Sequence, residues 1–412
     1  MISRRSFGLL SLLALVILGV VLATPGLALV PGAVADSPRW VLGVFGRGLG
    51  LSPGSYLGFL YAAFVVYVAL VVLARDLPRK AVFGAIGALV VVFALAPPLL
   101  SLDVFSYISY ARLGVEHGLN PYDSVPASIP DDPIASRVDD WRFAVSVYGP
   151  AFTLGTYPIG ALGAAAALWT LKAVAAISVL LLAWLVARLA AARGVNPAAA
   201  AAFVALNPLV LVHVVGGAHN DGLMAVAMMA GVAAVLAGAE RAGGALIILG
   251  AAIKLPALVV APFALVATER RSRLLVGFAV AAALTLVATF VAFGSSAGAA
   301  LGLVGDNQSL SSKWSVPSTV ARISGVDADL VRVAFLIAYV GLVARLLVWV
   351  ARGADWVRAA GWAMLGLLVA TAWMVPWYVI WALPLAAISR DRLLIAGVLA
   401  MTAFQVINAV PV

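Results

Sequence analysis

The chain has no cysteine, few histidines and little charge. With Cys 0 in 412 residues, disulfides and thiolate metal sites are excluded. His 3 leaves no Cys/His cluster of the kind that binds zinc, and HExxH, Walker A and convincing dinucleotide-binding sequences are absent. The glycine-rich stretch Gly46-Arg47-Gly48-Leu49-Gly50 has no strand before it, so nucleotide chemistry is as unsupported as zinc chemistry. Charged residues make up 10% and hydrophobic ones 64%, with mean hydropathy +1.12; soluble domains run near about 25% and 45–50%. That balance excludes a cytosolic enzyme, a secreted globule and a disordered chain. What remains is a polytopic membrane protein.

Apolar runs long enough to cross a bilayer recur over residues 9–30, 56–73, 81–100, 169–191, 197–215, 222–239, 274–293, 330–350, 356–372 and 393–409. Three more, 150–166, 244–267 and 377–388, are short or broken. The runs lack the alternation of barrel strands, so the expected fold class is all-α, with about 11–13 transmembrane or re-entrant helices. Ser3-Arg4-Arg5-Ser6-Phe7 and Ala33-Val34-Ala35 imitate a twin-arginine export signal, but the run 9–30 is longer than a signal core and reads as a retained first helix. Proline breaks helices, so 244–267 is expected to fold back at Lys254-Leu255-Pro256, and 150–166 to be a half-helix.

The net charge is +9 and the pI about 10.1. In a soluble protein this would suggest nucleic acid; here it orients the chain instead. Arg4/Arg5, Arg75/Arg79/Lys80, Arg188/Arg193, Arg270/Arg271/Arg273, Arg345/Arg352/Arg358 and Arg390/Arg392 are expected on the cytoplasmic side. Twelve of the seventeen acidic residues then fall outside. Three polar stretches share that outer face: residues 101–148, the turn His219-Asn220-Asp221, and residues 305–322. The helical spacing at residues 103–113 suggests an interfacial helix on the membrane surface. Residues 1–80 are expected to form N-terminal membrane helices. Residues 81–293 would be a catalytic module carrying the outer loop 101–148, and residues 294–412 C-terminal helices with an outer loop at 294–328.

Several residues on this face could carry chemistry. Asp103 directly follows an apolar run, where partial desolvation makes a carboxylate a stronger base; a helix N-cap explains the same position equally well. His219-Asn220-Asp221 also reads as a cap, yet three polar side chains, with His213 six residues earlier, exceed what a cap requires. Lys254 reads as the one basic residue deep in an apolar run. That placement costs about 2.5–3.5 kcal/mol, which an anion such as a lipid phosphate would offset. Trp373, Trp377 and Trp381 are spaced to line one face if a helix continues through Pro376; an interfacial aromatic belt is the alternative. Lys313 and Arg322 could also reach a phosphate, although solvated loop charge accounts for them.

The motifs Asp103-Val-Phe-Ser-Tyr107, Gly118-Leu-Asn120-Pro121-Tyr122, Val147-Tyr148-Gly149-Pro150, Asn207-Pro208-Leu209, His219-Asn220-Asp221, Lys254-Leu255-Pro256, Ser315-Val-Pro317-Ser318 and Pro376-Trp377-Tyr378 with Trp381 follow one another along the chain. As an ordered set they resemble the GT-C superfamily of polyprenyl-phosphate-sugar-dependent glycosyltransferases. Within it, they are most similar to the actinobacterial polyprenol-phosphomannose-dependent α-1,6-mannosyltransferases of lipomannan synthesis. The resemblance implies a GT-C-like fold in the cytoplasmic membrane, with its site on the extracytoplasmic side. It implies mannose transfer from a polyprenyl-phosphate donor to a lipid-linked mannan or glycan acceptor, with inversion and without cofactor or metal. Asp103 would be the general base, Lys254 and His219 would bind the donor phosphate, and Asn220 and Asp221 would hold sugar hydroxyls. Tyr107, Tyr122 and Tyr148 would wall the acceptor groove, and Trp377 would face the substrate. Membrane lipids are the other expected partners, and nucleic acid is not one. Arabinose-type donors suit the same architecture, and a transporter or flippase of lipid-linked sugars is the competing reading.

Overall fold

A computed structural model describes residues 3–26, 48–296 and 311–410. The expectations for Ala33-Val34-Ala35, Gly46-Arg47, and residues 27–30 and 305–310 lie outside the described residues. Among the described residues every regular element is helical. The chain runs α1 (Arg4–Ala23), α2 (Pro53–Leu73), α3 (Arg79–Leu95), α4 (Asp103–Val115), α5 (Pro150–Gly160), α6 (Ala164–Ala192) and α7 (Pro197–Ala205). After a π-helical segment, Val210–Gly216, come α8 (Asp221–Leu236), α9 (Glu240–Ile253), a 3-10 turn Leu255–Val260, α10 (Ala261–Ala267) and α11 (Arg271–Phe293). The remainder is α12 (Val316–Ser324), α13 (Ala328–Ala351), α14 (Trp356–Ala370), a 3-10 segment Pro376–Trp381, α15 (Leu383–Ile388) and α16 (Arg392–Val406).

Five of these elements are long and apolar enough to cross a bilayer, or six if a bent pair is one span. The other apolar runs became shorter helices, because prolines and polar residues interrupt them. Residues 197–215, expected as one span, break at Leu206-Asn207-Pro208-Leu209 and bend by 65°. Pro208 cannot donate to the helical ladder, and Asn207 Oδ1 accepts the Leu209 N–H at 3.0 Å in its place. The expected break at Lys254 is present, with that residue extended (φ −159°, ψ 127°). The expected half-helix is α5, whose 11 residues reach about 16 Å, roughly half a hydrocarbon core.

Small residues let α8, α9 and α11 approach closely, as in other membrane bundles. A Cβ on Gly277 would lie 2.1 Å from the Arg241 carbonyl oxygen. Arg193 pairs with Asp355 and donates to the Ile388 carbonyl at 2.8 Å, while Arg358 meets Asp391 at 2.6 Å.

Helix α4 is not an interfacial helix with one free face. Nine of its thirteen residues are buried, Ser106 and Ser109 among them. It packs on α5, α6 and the 3-10 turns of the 101–148 loop, and a buried clamp holds that loop over it. Asp132 accepts from Arg112 Nε at 2.7 Å, contacts His117 Nε2 at 3.1 Å and accepts the Ile134 N–H at 2.9 Å. Arg112 also donates to the Gly160 carbonyl at 3.1 Å, tying the clamp to the end of α5.

Burial alone would raise the Asp132 pKa, but hydrogen bonds from His117, the Ile134 amide and Arg112 outweigh it and hold the carboxyl below its ordinary range. Its stabilisation is therefore complete above the unfolded carboxylate pKa of about 3.9 and is lost as pH falls through the lower folded value. Limited proteolysis of the loop should stay slow at pH 5 and accelerate only below about pH 4. Asp132→Asn should open the loop at neutral pH, at a cost of about 3 kcal/mol in thermal unfolding.

Candidate active site

Two strained turns build the site. The segment leaving α3 reaches Asp103 through Leu100, whose φ is 58°, and the segment leaving the π helix reaches His219 through Ala218, also at φ 58°. For residues with a Cβ this left-handed backbone costs roughly 1–2 kcal/mol, so surrounding contacts must impose it. The Leu99 N–H donates to the Gly216 carbonyl at 3.3 Å, which joins the two segments. Glycine is required at 217, where a Cβ would lie 2.6 Å from the His213 carbonyl oxygen and 2.7 Å from His219 Cε1.

The turns bring Asp103 Oδ2 to 3.6 Å from His219 Nε2. His219 Nδ1 lies 2.7 Å from the His213 carbonyl oxygen. A carbonyl only accepts, so Nδ1 carries a proton and donates it, leaving Nε2 to face Asp103. The Trp377 ring stacks on His219 with centroids 3.7 Å apart.

Beside this pair, Asp221 opens α8 and Lys254 ends α9. Lys254 Nζ lies 2.9 Å from both oxygens of Asp221, and Trp381 Nε1 donates to the same carboxylate at 2.6 Å. Lys254 Nζ also sits 4.6 Å from the Tyr378 ring centroid and 5.6 Å from that of Trp381, within cation–π range. The Lys254 charge is thus already compensated by an internal carboxylate, where the sequence suggested an external anion.

Both capping alternatives fail. Leu102, which has no capping side chain, occupies the cap of α4, and the Asp103 N–H donates to Ser101 Oγ at 3.2 Å, so Asp103 is not the cap. Asn220 holds the cap position of α8 but makes no side-chain cap bond, and both of its amide atoms are buried without a partner. The Tyr107 hydroxyl, His219 Nε2 and Trp377 Nε1 share that condition. Tyr107 meets Tyr148 and Phe152 edge-to-face, with centroids 4.7 and 4.8 Å apart. Tyr122 does not join the cluster: its hydroxyl donates to the Tyr148 carbonyl at 2.8 Å and its ring packs on Phe293, so it braces the loop.

The expected tryptophan face does not form, because the chain is non-helical from Thr371 to Val375 and only a 3-10 segment follows Pro376. Trp373 meets Trp141 instead, while Trp377 and Trp381 reach the site separately. Lys313 and Arg322 lie over Trp314. Lys254 is also not alone: Lys172 in α6 is fully buried, a residue that the logic applied to Lys254 would have found. Among the described residues no group of three acidic, His or Cys side chains is placed to hold a metal.

The model of the family described as alpha-(1->6)-mannopyranosyltransferase, N-terminal domain, matches residues 7–270. The chain belongs to this family. The match includes Asp103, His219, Asp221 and Lys254, while Trp377, Tyr378 and Trp381 lie beyond it. Alpha-(1->6)-mannopyranosyltransferase A of Mycobacterium tuberculosis is 31% identical over 76% of the chain and 67% of its own length. Its namesake in Corynebacterium glutamicum is 30% identical over 43% of the chain and 36% of its own length. Alpha-(1->6)-mannopyranosyltransferase B of the same organism is 26% identical over 38% of the chain and 27% of its own length. No solved structure matches.

Removing one partner of a buried ion pair strands the other charge. Asp221→Asn or Lys254→Met alone should therefore cost about 3 kcal/mol of stability. The double variant should lose less than the sum of the two, as read by thermal unfolding in detergent.

Proposed function

We propose that this member of the family transfers mannose from a polyprenyl-phosphate-linked donor to a glycan acceptor at the Asp103–His219 pair, with inversion, on the extracytoplasmic face. The observation that carries the reading is the division of labour between two carboxylates. Asp221 is fully buried and committed to Lys254 and Trp381. The Asp103 side chain is 22% exposed, and among the described residues its carboxylate accepts no hydrogen bond. A carboxylate that faces an opening with spare lone pairs can accept a proton from a substrate hydroxyl.

Asp103 takes the proton of the acceptor hydroxyl as that oxygen forms its bond to the anomeric carbon. The bond from that carbon to the phosphate oxygen breaks, and the electron pair leaves with the polyprenyl phosphate. Lys254, whose side chain is 20% exposed, is the cation nearest that charge, with the His219 ring beside it. The unpartnered buried atoms of Tyr107, Asn220 and Trp377 suit a ligand rich in hydroxyls, since buried polar groups are costly without partners.

The test is mannosyl transfer by the purified chain from polyprenyl-phosphate mannose to a mannoside. Asp103→Asn should lower turnover about a thousandfold, within the range general-base catalysis contributes, while thermal unfolding stays unchanged. Full activity in that variant, or absence of transfer by the intact protein, overturns the reading.

A further inference from the structure

Lys172 lies near the start of α6, the longest apolar helix described, and none of its surface is exposed. Among the described residues no carboxylate lies within ion-pair distance of it. Its ammonium donates to two backbone carbonyls, that of Gly216 at 2.7 Å and that of Pro97 at 3.4 Å. An ammonium in an apolar helix is costly to place, so these contacts need a purpose.

The two acceptors belong to the two arms of the site. Pro97 stands six residues before Asp103, and Gly216 three before His219. Gly216 is also the last residue of the π helix, where carbonyls lack intrahelical partners and carry partial negative charge. Between each acceptor and its functional residue lies one left-handed residue, Leu100 or Ala218. The Gly216 carbonyl receives Lys172 and the Leu99 N–H together, so a single oxygen joins α6, the Asp103 arm and the His219 arm.

We propose that Lys172 is a positioning residue that sets the approach of Asp103 to His219 by holding both arms through their backbone carbonyls. The inference rests on the reading of Asp103 as the base. Lys172 touches neither substrate nor the reacting side chains. Its loss changes the placement of the pair and leaves the polar atoms of Tyr107 and Asn220 free to bind sugar.

The experiment uses the full chain and the transfer assay with polyprenyl-phosphate mannose. Lys172→Met keeps the length and removes the donors. The expected result is a fall in kcat of at least tenfold with donor KM changed less than twofold. Lys172→Arg, which retains donors for two carbonyls, should recover most of the lost kcat. In an Asp103→Asn background Lys172→Met should cost less than threefold more, because the base it positions is gone. Wild-type kcat in Lys172→Met, or a full additional tenfold loss in the Asp103→Asn background, overturns the proposal. If Lys172→Met does not fold, Lys172→Leu, which also lacks donors, carries the same kcat and KM criteria. Full activity of Asp103→Asn alone would instead overturn the functional reading, so the two failures are distinguishable.

Discussion

The ion pair between Lys254 and Asp221 is the contact on which the centre of the molecule depends. It joins the last turn of α9 to the first turn of α8, and Trp381 Nε1 adds a third helix-derived segment to the same carboxylate. Neither charge is tolerable there alone. Asp221 also sits at a helix N-terminus, where the backbone amides favour negative charge. The chain stops being helical at Lys254, and that break gives the ammonium its approach: a lysine within a continuous helix would point along the helix surface, not across its end. The pair is therefore a structural fastener with one exposed edge, and the aromatic rings of Tyr378 and Trp381 close the rest around the cation.

The breaks that shorten the spans also make the site. Helix ends leave backbone groups unsatisfied, and a bilayer tolerates them only where protein or an aqueous cavity covers them. Asp103 and Asp221 open helices, Lys254 ends one, His219 follows the π segment, and Trp377 and Trp381 come from a 3-10 turn after Pro376. A set of uninterrupted spanning helices could not bring these six side chains to one level.

Much of this was legible in composition and punctuation. The all-α membrane class followed from 64% hydrophobic residues without strand alternation, and the break at Lys254 followed from Pro256. Asp103, His219, Asp221 and Lys254 were singled out by polar chemistry in or beside apolar runs, Trp377 by aromatic spacing, and Tyr107 and Tyr148 by the family resemblance, and the fold brings them together. What the sequence hid depends on pairing across the chain. Nothing local to Lys254 says that its counter-ion is Asp221, 33 residues earlier, and nothing in Tyr122 distinguishes a groove wall from a brace hydrogen-bonded to the Tyr148 carbonyl. The burial of α4 was hidden for the same reason, since its cover comes from α5, α6 and a loop held by Asp132. Lys172 falls under the same rule as Lys254, a basic residue inside an apolar run, but its two carbonyl partners come from distant segments.

Charge balance explains why two carboxylates beside one lysine suit the proposed reaction. Lys254 and Asp221 cancel, so the variable charge belongs to Asp103 and His219. Since Nδ1 of His219 already donates to a carbonyl, any proton between the pair lies on Nε2 or on the Asp103 carboxylate. A sugar phosphodiester brings one negative charge, and its departure as a phosphate monoester creates a second. The acceptor proton captured at Asp103 removes one negative charge from the site as that second one forms. The site thus keeps its net charge through the transfer, which matters most where the dielectric is low and an uncompensated charge costs most.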